Sequence, residues 1–280
     1  MSKVYDVIVL GAGPAGLAAG LYAGRSRLST LVIEKGKDGG QIAITDDIEN
    51  YPGQIVEGES GPSLIARMTQ QCEKFGVERA SDVINEVHLD GDIKVLKSAK
   101  AEYQSKTVII ATGAFARPIG CKGEGQFRGK GVSYCATCDG AFFRNKVTAV
   151  VGGGNVALED AIFLSRMCKK VYLIHRRDEF RGAKILQDEV KKNDKIEILW
   201  NTIVTKIDGD EVVEGLHIQD VDNHVDKLLD VDGIFIAVGT KPASELLSGK
   251  LSTDEKGYII AGEDGVTNIP GIFAAGDGRS

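Results

Sequence analysis

Hydrophobic residues along the chain fall into short runs of the kind found in buried strands, and one run opens a recognisable pattern. The apolar run at 4–10 (VYDVIVL) precedes a glycine-rich turn, a helix-forming stretch at 17–22 and a second apolar run at 30–33. Short apolar runs bounded by turn residues are typical of strands buried on both faces of a parallel sheet. These positions therefore predict a βαβ unit of about thirty residues.

The same pattern returns later in the chain. An apolar run at 147–151 precedes a second glycine-rich turn, a helix predicted to continue through Met167 and a strand at 171–174. The first turn reads GAGPAG from Gly11 and the second GGGNVA from Gly152, so equivalent positions are 141 residues apart. One such turn is weak evidence, but two in register, each between a strand and a helix, predict two dinucleotide-binding domains of α/β class.

Each position of this turn has a physical role in holding a pyrophosphate. The first glycine (Gly11 or Gly152) permits a tight turn, and the second (Gly13 or Gly154) lets the phosphates approach the backbone. The third position keeps the helix close to the strand, and the helix N-terminus then meets the phosphate charge. The alternative is a pair of glycine-rich turns without a ligand, which many α/β proteins contain.

The residues that end the second strand of each copy differ in charge. Glu34 ends that strand in the first copy, where a carboxylate can bind a ribose hydroxyl. His175, Arg176 and Arg177 occupy the equivalent place in the second copy, and Arg181 follows one helical turn later. Guanidinium groups attract a 2′-phosphate that a carboxylate would repel. The first copy thus suits FAD or NAD, and the second suits NADP. The alternative is that the basic run at 175–181 is only a solvent-exposed surface.

The remaining pattern predicts that one domain is inserted into the other. Apolar strands that end in glycine close each half, at 107–113 and 233–239, and a final strand at 271–276 has no counterpart in the second half. Residues 117–241 are therefore predicted to form the second domain, inserted between residues 1–116 and 242–280 of the first. The two crossing segments would then act as a hinge. Turn residues at 89–92 and 207–210 predict a hairpin in each half.

Length and composition limit the class of protein. Two domains are the better expectation for 280 residues, and a net charge of −6 argues against a broad nucleic-acid footprint. No apolar run approaches the roughly 20 residues that span a bilayer, and the N-terminal run is too short for a signal peptide. Five cysteines, an odd number, exclude a disulfide-stapled secreted scaffold and predict a reducing compartment.

Two of the cysteines form a CxxC pair. Cys135 and Cys138 stand shortly before Gly152, so they belong to the predicted inserted domain, and this spacing can close a small disulfide ring. If Cys138 opens a helix, the helix dipole would favour its thiolate. Asp139 is a candidate proton donor or acceptor. A dithiol beside an NADPH site predicts a chain of electron carriers that a flavin can connect.

Other readings of the cysteines have less support. A zinc site needs four ligands, and neither a second CxxC nor a suitable histidine pair exists, so no metal is predicted. A thioredoxin fold would place its CxxC within its own early βαβ unit. Cys72, Cys121 and Cys168 are predicted to be structural. A GxSxG elbow and a GxxxxGK[ST] loop are both missing, which argues against a hydrolase or a P-loop NTPase.

Taken together, these motifs resemble the low-molecular-weight thioredoxin reductases of bacteria, over nearly the whole chain from 5 to 277. The resemblance is carried by GAGPAGLAA at 11–19, GGQI at 39–42, ENYPG at 49–53, ATGA at 111–114, CATCDG at 135–140, GGGNVALEDA at 152–161, HRRDEFR at 175–181 and GIFAAGD at 271–277.

The resemblance implies an NADPH-dependent thioredoxin-disulfide reductase that acts as a cytoplasmic homodimer without nucleic-acid or membrane partners. Hydride would pass from NADPH to FAD, and the flavin would reduce the Cys135–Cys138 disulfide. By resemblance, Cys135 attacks thioredoxin, Cys138 faces the flavin, Asp139 protonates a leaving thiolate, and the NADPH domain alternates between two orientations. The residues expected to hold FAD are Gly11, Gly13, Pro14, Ala15, Gly16, Glu34, Lys35, Gly40, Gln41, Asn50, Ala111, Thr112, Gly113, Gly276 and Asp277, and those expected to hold NADPH are Gly152, Gly154, Asn155, Val156, Ala157, His175, Arg176, Arg177 and Arg181.

Members of that family continue past the position of Asp277 with an Arg-Gln-bearing segment on the flavin and a long helix. Only residues 278–280 follow here, and we expect a shortened sequence rather than a natural short form. Two other function classes remain open at this stage. One is a related flavin oxidoreductase acting on a small disulfide or dithiol or on a peroxidase partner, and the other is a non-catalytic nucleotide-binding protein.

Overall fold

The chain divides into two compact units, one inserted into the other. The computed structural model describes residues 3–44, 48, 51–55 and 58–280. Unit 1 comprises Met1–Phe115 and Lys241–Ser280, and unit 2 comprises Ala116–Thr240. Two short segments, Ala114–Ala116 and Thr240–Pro242, pair as strands where the chain crosses from one unit to the other.

The described residues form strands and helices, as expected of an α/β fold, with runs of consecutive strands between the βαβ units. The strands are β1 (Val4–Leu10), β2 (Thr30–Glu34), β3 (Glu78–Ser81), β4 (Ile84–His88), β5 (Lys94–Ser98), β6 (Glu102–Ile110), β7 (Ala114–Ala116), β8 (Val132–Ser133), β9 (Val147–Val151), β10 (Lys170–Ile174), β11 (Ile196–Leu199), β12 (Thr202–Gly209), β13 (Val213–Asp220), β14 (Asp226–Asp230), β15 (Gly233–Ile236), β16 (Thr240–Pro242) and β17 (Ile272–Ala274). The helices are α1 (Pro14–Arg25), α2 (Gly61–Lys74), α3 (Ala136–Asp139), α4 (Asn155–Ser165) and α5 (Lys184–Lys192), with 3₁₀ turns at Gly40–Ile44, Gly140–Phe143 and Glu245–Leu247.

Unit 1 is built on a mixed sheet. Its described strands lie in the order β3-β2-β1-β6-β5-β4, and β17 pairs with the C-terminal part of β6. Strands β3, β2, β1, β6 and β17 are parallel, whereas β4, β5 and β6 pair antiparallel. The carboxyl ends of β1 and β6 are therefore neighbours, which brings the first glycine turn beside the segment that follows β6.

Side chains of β1 alternate between two hydrophobic clusters on opposite faces of this sheet. Val7 and Val9 pack in the cluster of helices α1 and α2, and Ile8 and Leu10 pack in the cluster on the other face. Burial on both faces explains why this strand reads as a continuous apolar run. Helix α2 begins at its cap residue Ser60, whose hydroxyl accepts the Ser63 N–H at 3.2 Å.

Unit 2 repeats the parallel arrangement. Strands β11-β10-β9-β15-β8 form a wholly parallel sheet, and a separate antiparallel sheet contains β12, β13 and β14. Helix α4 packs on the parallel sheet through Ala157, Leu158, Ala161 and Leu164, which are inaccessible to solvent. The predicted fold class, two Rossmann-like units with one inserted into the other, is confirmed.

For individual helices and strands, the predicted type of element agrees with the structure more often than its predicted length does. Both predicted hairpins are present, between β4 and β5 and between β12 and β13. The first helix is longer than predicted because Pro14 takes its first turn, where no N–H is needed. Helix α5 was not predicted, since only Leu186 and Val190 among its residues pack into a hydrophobic cluster.

Candidate nucleotide loops and redox disulfide

The first glycine turn follows β1 and closes against the end of β6. Gly11 has φ +110°, and a Cβ added there would lie 2.3 Å from the carbonyl oxygen of Ala111. A Cβ on Gly16 would lie 1.9 Å from the Gly11 carbonyl oxygen, so no larger residue fits at either place. By contrast, no described atom lies within 4 Å of a Cβ built on Gly13. The turn is thus closed at its ends and open at its centre.

Helix α1 begins at this open centre. Gly13 is its N-cap residue, Pro14 follows it, and no side chain among the described residues caps the helix. The amides of the first turn can therefore bind an anion. Ala15 lies beside Gly276, where an added Cβ would approach the Ala15 Cβ to 2.7 Å, so the segment after β17 borders this helix end.

Glu34 is tied to the same turn. Its half-buried carboxylate accepts the Ala12 N–H at 2.9 Å and the Gly36 N–H at 3.2 Å. This contact fixes the acid at the end of β2 beside the turn, where sequence reasoning expected it. Lys35, also predicted to touch the cofactor, places its ammonium 5.0 Å from the centre of the Phe115 ring.

Two further segments of unit 1 border the open centre of the turn. The Gly39 N–H donates to the Ala12 carbonyl at 2.8 Å, and a Cβ built on Gly40 would lie 3.7 Å from Gly13 Cα. After β6, the Thr112 hydroxyl oxygen is buried and has no hydrogen-bond partner among the described residues. A buried hydroxyl without a hydrogen-bond partner lowers the stability of the fold, so this hydroxyl is available to a bound group.

The other unit 1 residues expected at the cofactor are less informative. Gln41, Gly276 and Asp277 are exposed, and Gly113 has φ +69°. Asn50, carried over by resemblance, lies outside the described residues. These assignments stay predictions.

The second glycine turn follows β9 and has the same construction. A Cβ on Gly152 would lie 2.4 Å from the Ala237 carbonyl oxygen and 2.6 Å from the Ala157 Cβ. Gly154 is the N-cap of α4, again without a side-chain cap, and a Cβ built on it meets no described atom within 4 Å. Val156 is exposed at the start of the helix. Both turns therefore present an open glycine and uncapped helix amides.

Backbone hydrogen bonds hold the basic segment against the second turn. The N–H groups of Arg181 and Gly182 both donate to the Gly153 carbonyl, at 2.8 and 3.1 Å. The Asn155 side chain accepts the Ala183 N–H at 2.7 Å and pins the same segment to the first residue of α4. This role of Asn155 depends on a residue 28 positions away, so sequence reasoning could not derive it.

The three arginines of this segment are available to a ligand. Arg176, Arg177 and Arg181 are exposed, and within the described part of the chain none of them forms an ion pair with a carboxylate. Three guanidinium groups on a segment held against this turn can bind a further phosphate, and their assignment to the nucleotide stays a prediction.

His175 has a different environment from the arginines. It is buried, and its ring lies where a Cβ on Gly153 would fall, with its Nε2 3.0 Å from the Glu179 carbonyl oxygen. The rings of Phe180 and Trp200 lie beside it, with centroids 5.5 and 6.2 Å away. Burial lowers the pKa of His175, and the neighbouring arginines lower it further. The buried His175 ring thus packs against the backbone of the second glycine turn at Gly153 and supports it.

The CxxC pair forms a disulfide in unit 2. Cys135 and Cys138 are joined by an S–S bond of 2.05 Å with their Cα atoms 5.3 Å apart. Helix α3 begins at Ala136, so Cys135 is the N-cap residue and Cys138 lies within the first turn. The suggestion that Cys138 opens the helix was therefore wrong, because the turn begins earlier in the chain. Cys138 is exposed and Cys135 is half-buried.

Asp139 is held by a residue that sequence reasoning missed. Its Oδ2 accepts a hydrogen bond from the buried Ser133 hydroxyl at 2.5 Å, and its N–H donates to the Cys135 carbonyl at 3.2 Å. The Ser133 oxygen also accepts the Cys135 N–H at 3.1 Å. Ser133 therefore connects the predicted proton carrier with the predicted attacking cysteine. A serine two residues before a cysteine carries no sequence signal for this role.

The remaining cysteines lie apart from this disulfide. Cys72 is buried and donates to the Leu17 carbonyl at 3.2 Å, which confirms that it belongs to the core. Cys168 is also buried, and desolvation raises the pKa of both thiols. Burial likewise raises the pKa of the half-buried Cys121 thiol, to about 11. High pKa values keep these thiols protonated and weakly nucleophilic.

In the described residues no cluster of His, Cys, Asp and Glu could hold a metal ion.

The family model described as pyridine nucleotide-disulphide oxidoreductase matches residues 5–280. The chain belongs to this family. A thioredoxin reductase of Peptoclostridium litorale is 47% identical, over 100% of this chain and 90% of the relative. A thioredoxin reductase of Bacillus subtilis (strain 168) is 45% identical, over 99% of this chain and 87% of the relative. The crystal structure of thioredoxin reductase from Streptococcus pyogenes MGAS5005 is 44% identical with a TM-score of 0.93, covering 100% of this chain and 91% of that one.

Membership of the pyridine nucleotide-disulphide oxidoreductase family confirms the predicted use of FAD and NADPH, and the two turns fit such dinucleotides. Each turn leaves an open glycine at a helix N-terminus, a cradle that a Cβ would fill. Thr112 adds a buried hydroxyl that has no hydrogen-bond partner among the described residues of unit 1, and the three exposed arginines add positive charge in unit 2. None of the helices in the described ranges has the length and hydrophobicity to cross a membrane.

Proposed function

We propose that this chain is an NADPH-dependent thioredoxin reductase that passes electrons through FAD to the Cys135–Cys138 disulfide. The observation that carries the proposal is the Cys135–Cys138 disulfide in the same unit as a glycine turn that backbone hydrogen bonds join to a segment with three exposed arginines. A disulfide reductase needs both a redox-active cysteine pair and a site for a nicotinamide nucleotide, and unit 2 contains candidates for both. Curated relatives of similar length and 44–47% identity carry the name thioredoxin reductase.

Unit 1 is the proposed FAD unit. The uncapped amides of α1 at Gly13 receive the pyrophosphate, and Glu34 receives the adenosine ribose hydroxyls. The Thr112 hydroxyl supplies a further hydrogen bond. When bound, FAD accepts a hydride from NADPH and supplies two electrons to the disulfide.

Unit 2 is the proposed NADPH unit. The amides of α4 at Gly154 receive the pyrophosphate, and Arg176, Arg177 and Arg181 receive the 2′-phosphate. Guanidinium groups form charge-assisted, often bidentate bonds to phosphate oxygens, which NADH lacks at this position. The unit therefore selects NADPH over NADH.

The dithiol then reduces thioredoxin by exchange. Two electrons and two protons convert the disulfide to the thiols of Cys135 and Cys138. The Cys135 thiolate attacks one sulfur of the thioredoxin disulfide, which forms a mixed disulfide and releases the other thioredoxin sulfur as a thiolate. The Cys138 thiolate then attacks the Cys135 sulfur, which restores the original disulfide and releases the second thioredoxin thiolate. Asp139 supplies a proton to a leaving thiolate.

The proposal includes a homodimer in the cytoplasm. The resemblance implies this assembly and compartment, and the three free cysteines are of the kind that persists where thiols stay reduced. Light scattering of the purified chain measures the assembly, and a monomer mass at micromolar concentration contradicts it.

Spectroscopy and turnover of the purified chain, supplied with FAD, test the proposal. We expect NADPH to bleach the flavin absorbance and oxidised thioredoxin to restore it, with continuous NADPH oxidation when both are present. A small disulfide is the comparison substrate. Turnover of the small disulfide without turnover of thioredoxin would replace the proposal with the related oxidoreductase. No bleaching of bound flavin by NADPH would remove both.

A further inference from the structure

Ser133 is a buried hydroxyl between the two functional groups of the redox turn. Only 5% of the residue is exposed, and its Oγ lies 2.5 Å from Asp139 Oδ2 and 3.1 Å from the Cys135 backbone nitrogen. The mechanism above assigns it no task. We propose that Ser133 is a positioning residue for thiol–disulfide exchange, which orients the Asp139 carboxyl group and couples it to the backbone of Cys135.

The hydrogen-bond geometry determines how Ser133 is used. A serine hydroxyl has one proton to donate, and two acceptors compete for it: Asp139 Oδ2 at 2.5 Å and the Cys135 carbonyl at 3.3 Å. The shorter bond ends on a carboxylate and is the stronger one. The Cys135 N–H simultaneously donates to the same oxygen. The result is a chain from the Cys135 amide through Ser133 to Asp139, in which each bond polarises the next.

Asp139 needs this support because its own helix is short. Helix α3 has four residues and is closed by backbone hydrogen bonds from the Asp139 N–H to the Cys135 carbonyl and from the Gly140 N–H to the Ala136 carbonyl. A single turn has little stability of its own. Ser133, by contrast, lies on β8 and pairs in register with the fully buried Phe235 of β15. The hydroxyl thus joins this short helix to the parallel sheet of unit 2.

The proton step explains why orientation matters. When the protonated carboxyl group of Asp139 gives its proton to a departing thiolate, that sulfur becomes a thiol and Asp139 becomes a carboxylate. Because Oδ2 accepts from Ser133, the transferred proton is carried by Oδ1. Ser133 therefore keeps one carboxyl oxygen fixed in both protonation states. The inference rests on the proposed role of Asp139.

A single-turnover measurement isolates this step from NADPH. The FAD-loaded protein is reduced with dithiothreitol, desalted and mixed with excess oxidised thioredoxin, and the rate of thioredoxin reduction is followed without NADPH. The variants are Ser133→Ala, Ser133→Thr, Asp139→Asn and the Ser133→Ala/Asp139→Asn double variant. Ser165→Ala is the matched control, since Ser165 is a buried serine of the same unit whose hydroxyl donates to the Ile162 carbonyl at 2.7 Å.

We expect Ser133→Ala to slow the exchange about tenfold, the effect of one lost hydrogen bond to a charged group. Ser133→Thr keeps the hydroxyl and should stay within about twofold of wild type, as should Ser165→Ala. In the Asp139→Asn background, Ser133→Ala should cause no further loss, because residues acting through one another are non-additive. Circular dichroism verifies folding, and Ser133→Gly replaces Ser133→Ala in the same cycle if that variant does not fold.

Three results separate failure of this inference from failure of the proposed function. Full activity of Ser133→Ala alongside an impaired Asp139→Asn variant overturns the inference alone. An equal loss from Ser133→Ala with and without Asp139→Asn also overturns it, because Ser133 would then act through Cys135 or through folding. Full activity of Asp139→Asn contradicts the proton role assigned to Asp139, and the inference falls with it.

Discussion

Removing the exposed arginines Arg176 and Arg177 should abolish most of the preference for NADPH. Both guanidinium groups lie on the segment that hydrogen bonds hold against the Gly153 carbonyl, and neither forms an ion pair within the described residues. A hydrogen bond to a charged group contributes about 1.5–3 kcal/mol. Solvent and salt screen exposed groups, so the lower end applies here. At about 1.4 kcal/mol per decade, each lost contact lowers kcat/KM about tenfold, and the double variant about a hundredfold.

The measurement is kcat/KM for NADPH and for NADH in wild type and in Arg176→Ala/Arg177→Ala. The NADH value should change little, because NADH has no 2′-phosphate for the arginines to bind. Arg166→Ala is the control, since Arg166 is an exposed arginine that caps the opposite end of α4, about 16 Å along the helix from the glycine turn. Equal use of both nucleotides by wild type, or an equal loss from Arg166→Ala, refutes the assignment and leaves the basic run as a solvated face.

Three further predictions follow from the site. Cys135→Ser and Cys138→Ser should each abolish thioredoxin reduction but leave flavin bleaching by NADPH, because exchange needs both thiols; substantial turnover by either variant contradicts this. Gly11→Ala should lose FAD on gel filtration, since φ is +110° and its Cβ would lie 2.3 Å from a carbonyl oxygen, whereas Gly36→Ala, in open space, should retain it. The lowered pKa of His175 means that the unfolded state binds more protons below about pH 6.5, so Tm should fall as pH drops through this range. His175→Phe should flatten that dependence, and an unchanged slope would show that another group dominates.

The parts of the site that could be predicted are those in which a backbone constraint dictates the residue type. Gly11 and Gly152 each lie so close to a carbonyl oxygen that no Cβ fits. Glycine is therefore required at both positions, and the repeat can be recognised from the sequence. Likewise, β1 is buried on both faces, so its residues must be apolar throughout. Such requirements act on one residue at a time and need no knowledge of distant partners.

The parts that could not be predicted depend on partners brought together by folding. The repeat predicts that His175 helps to bind the nucleotide. Its ring is instead packed against Gly153 beside Trp200. The sequence does not distinguish the two outcomes, because an aromatic ring can fill such a space as readily as it can face solvent. The start of α3 could not be placed either, since a single helical turn is too short to give a periodic pattern.

Ser133 shows the limit most clearly. Serine is common on surfaces, in turns and in strands, and its hydroxyl accepts and donates in any of them. What gives this serine its role is that β8 pairs with β15, which buries the hydroxyl and leaves the Cys135 amide and the Asp139 carboxylate as its partners. The strand pairing is long-range, whereas the two partners are local, so neither alone predicts the contact. In this chain the proposed site therefore depends on two kinds of residue: glycines that the motifs require, and a serine whose hydroxyl reaches its partners because the sheet holds it in place.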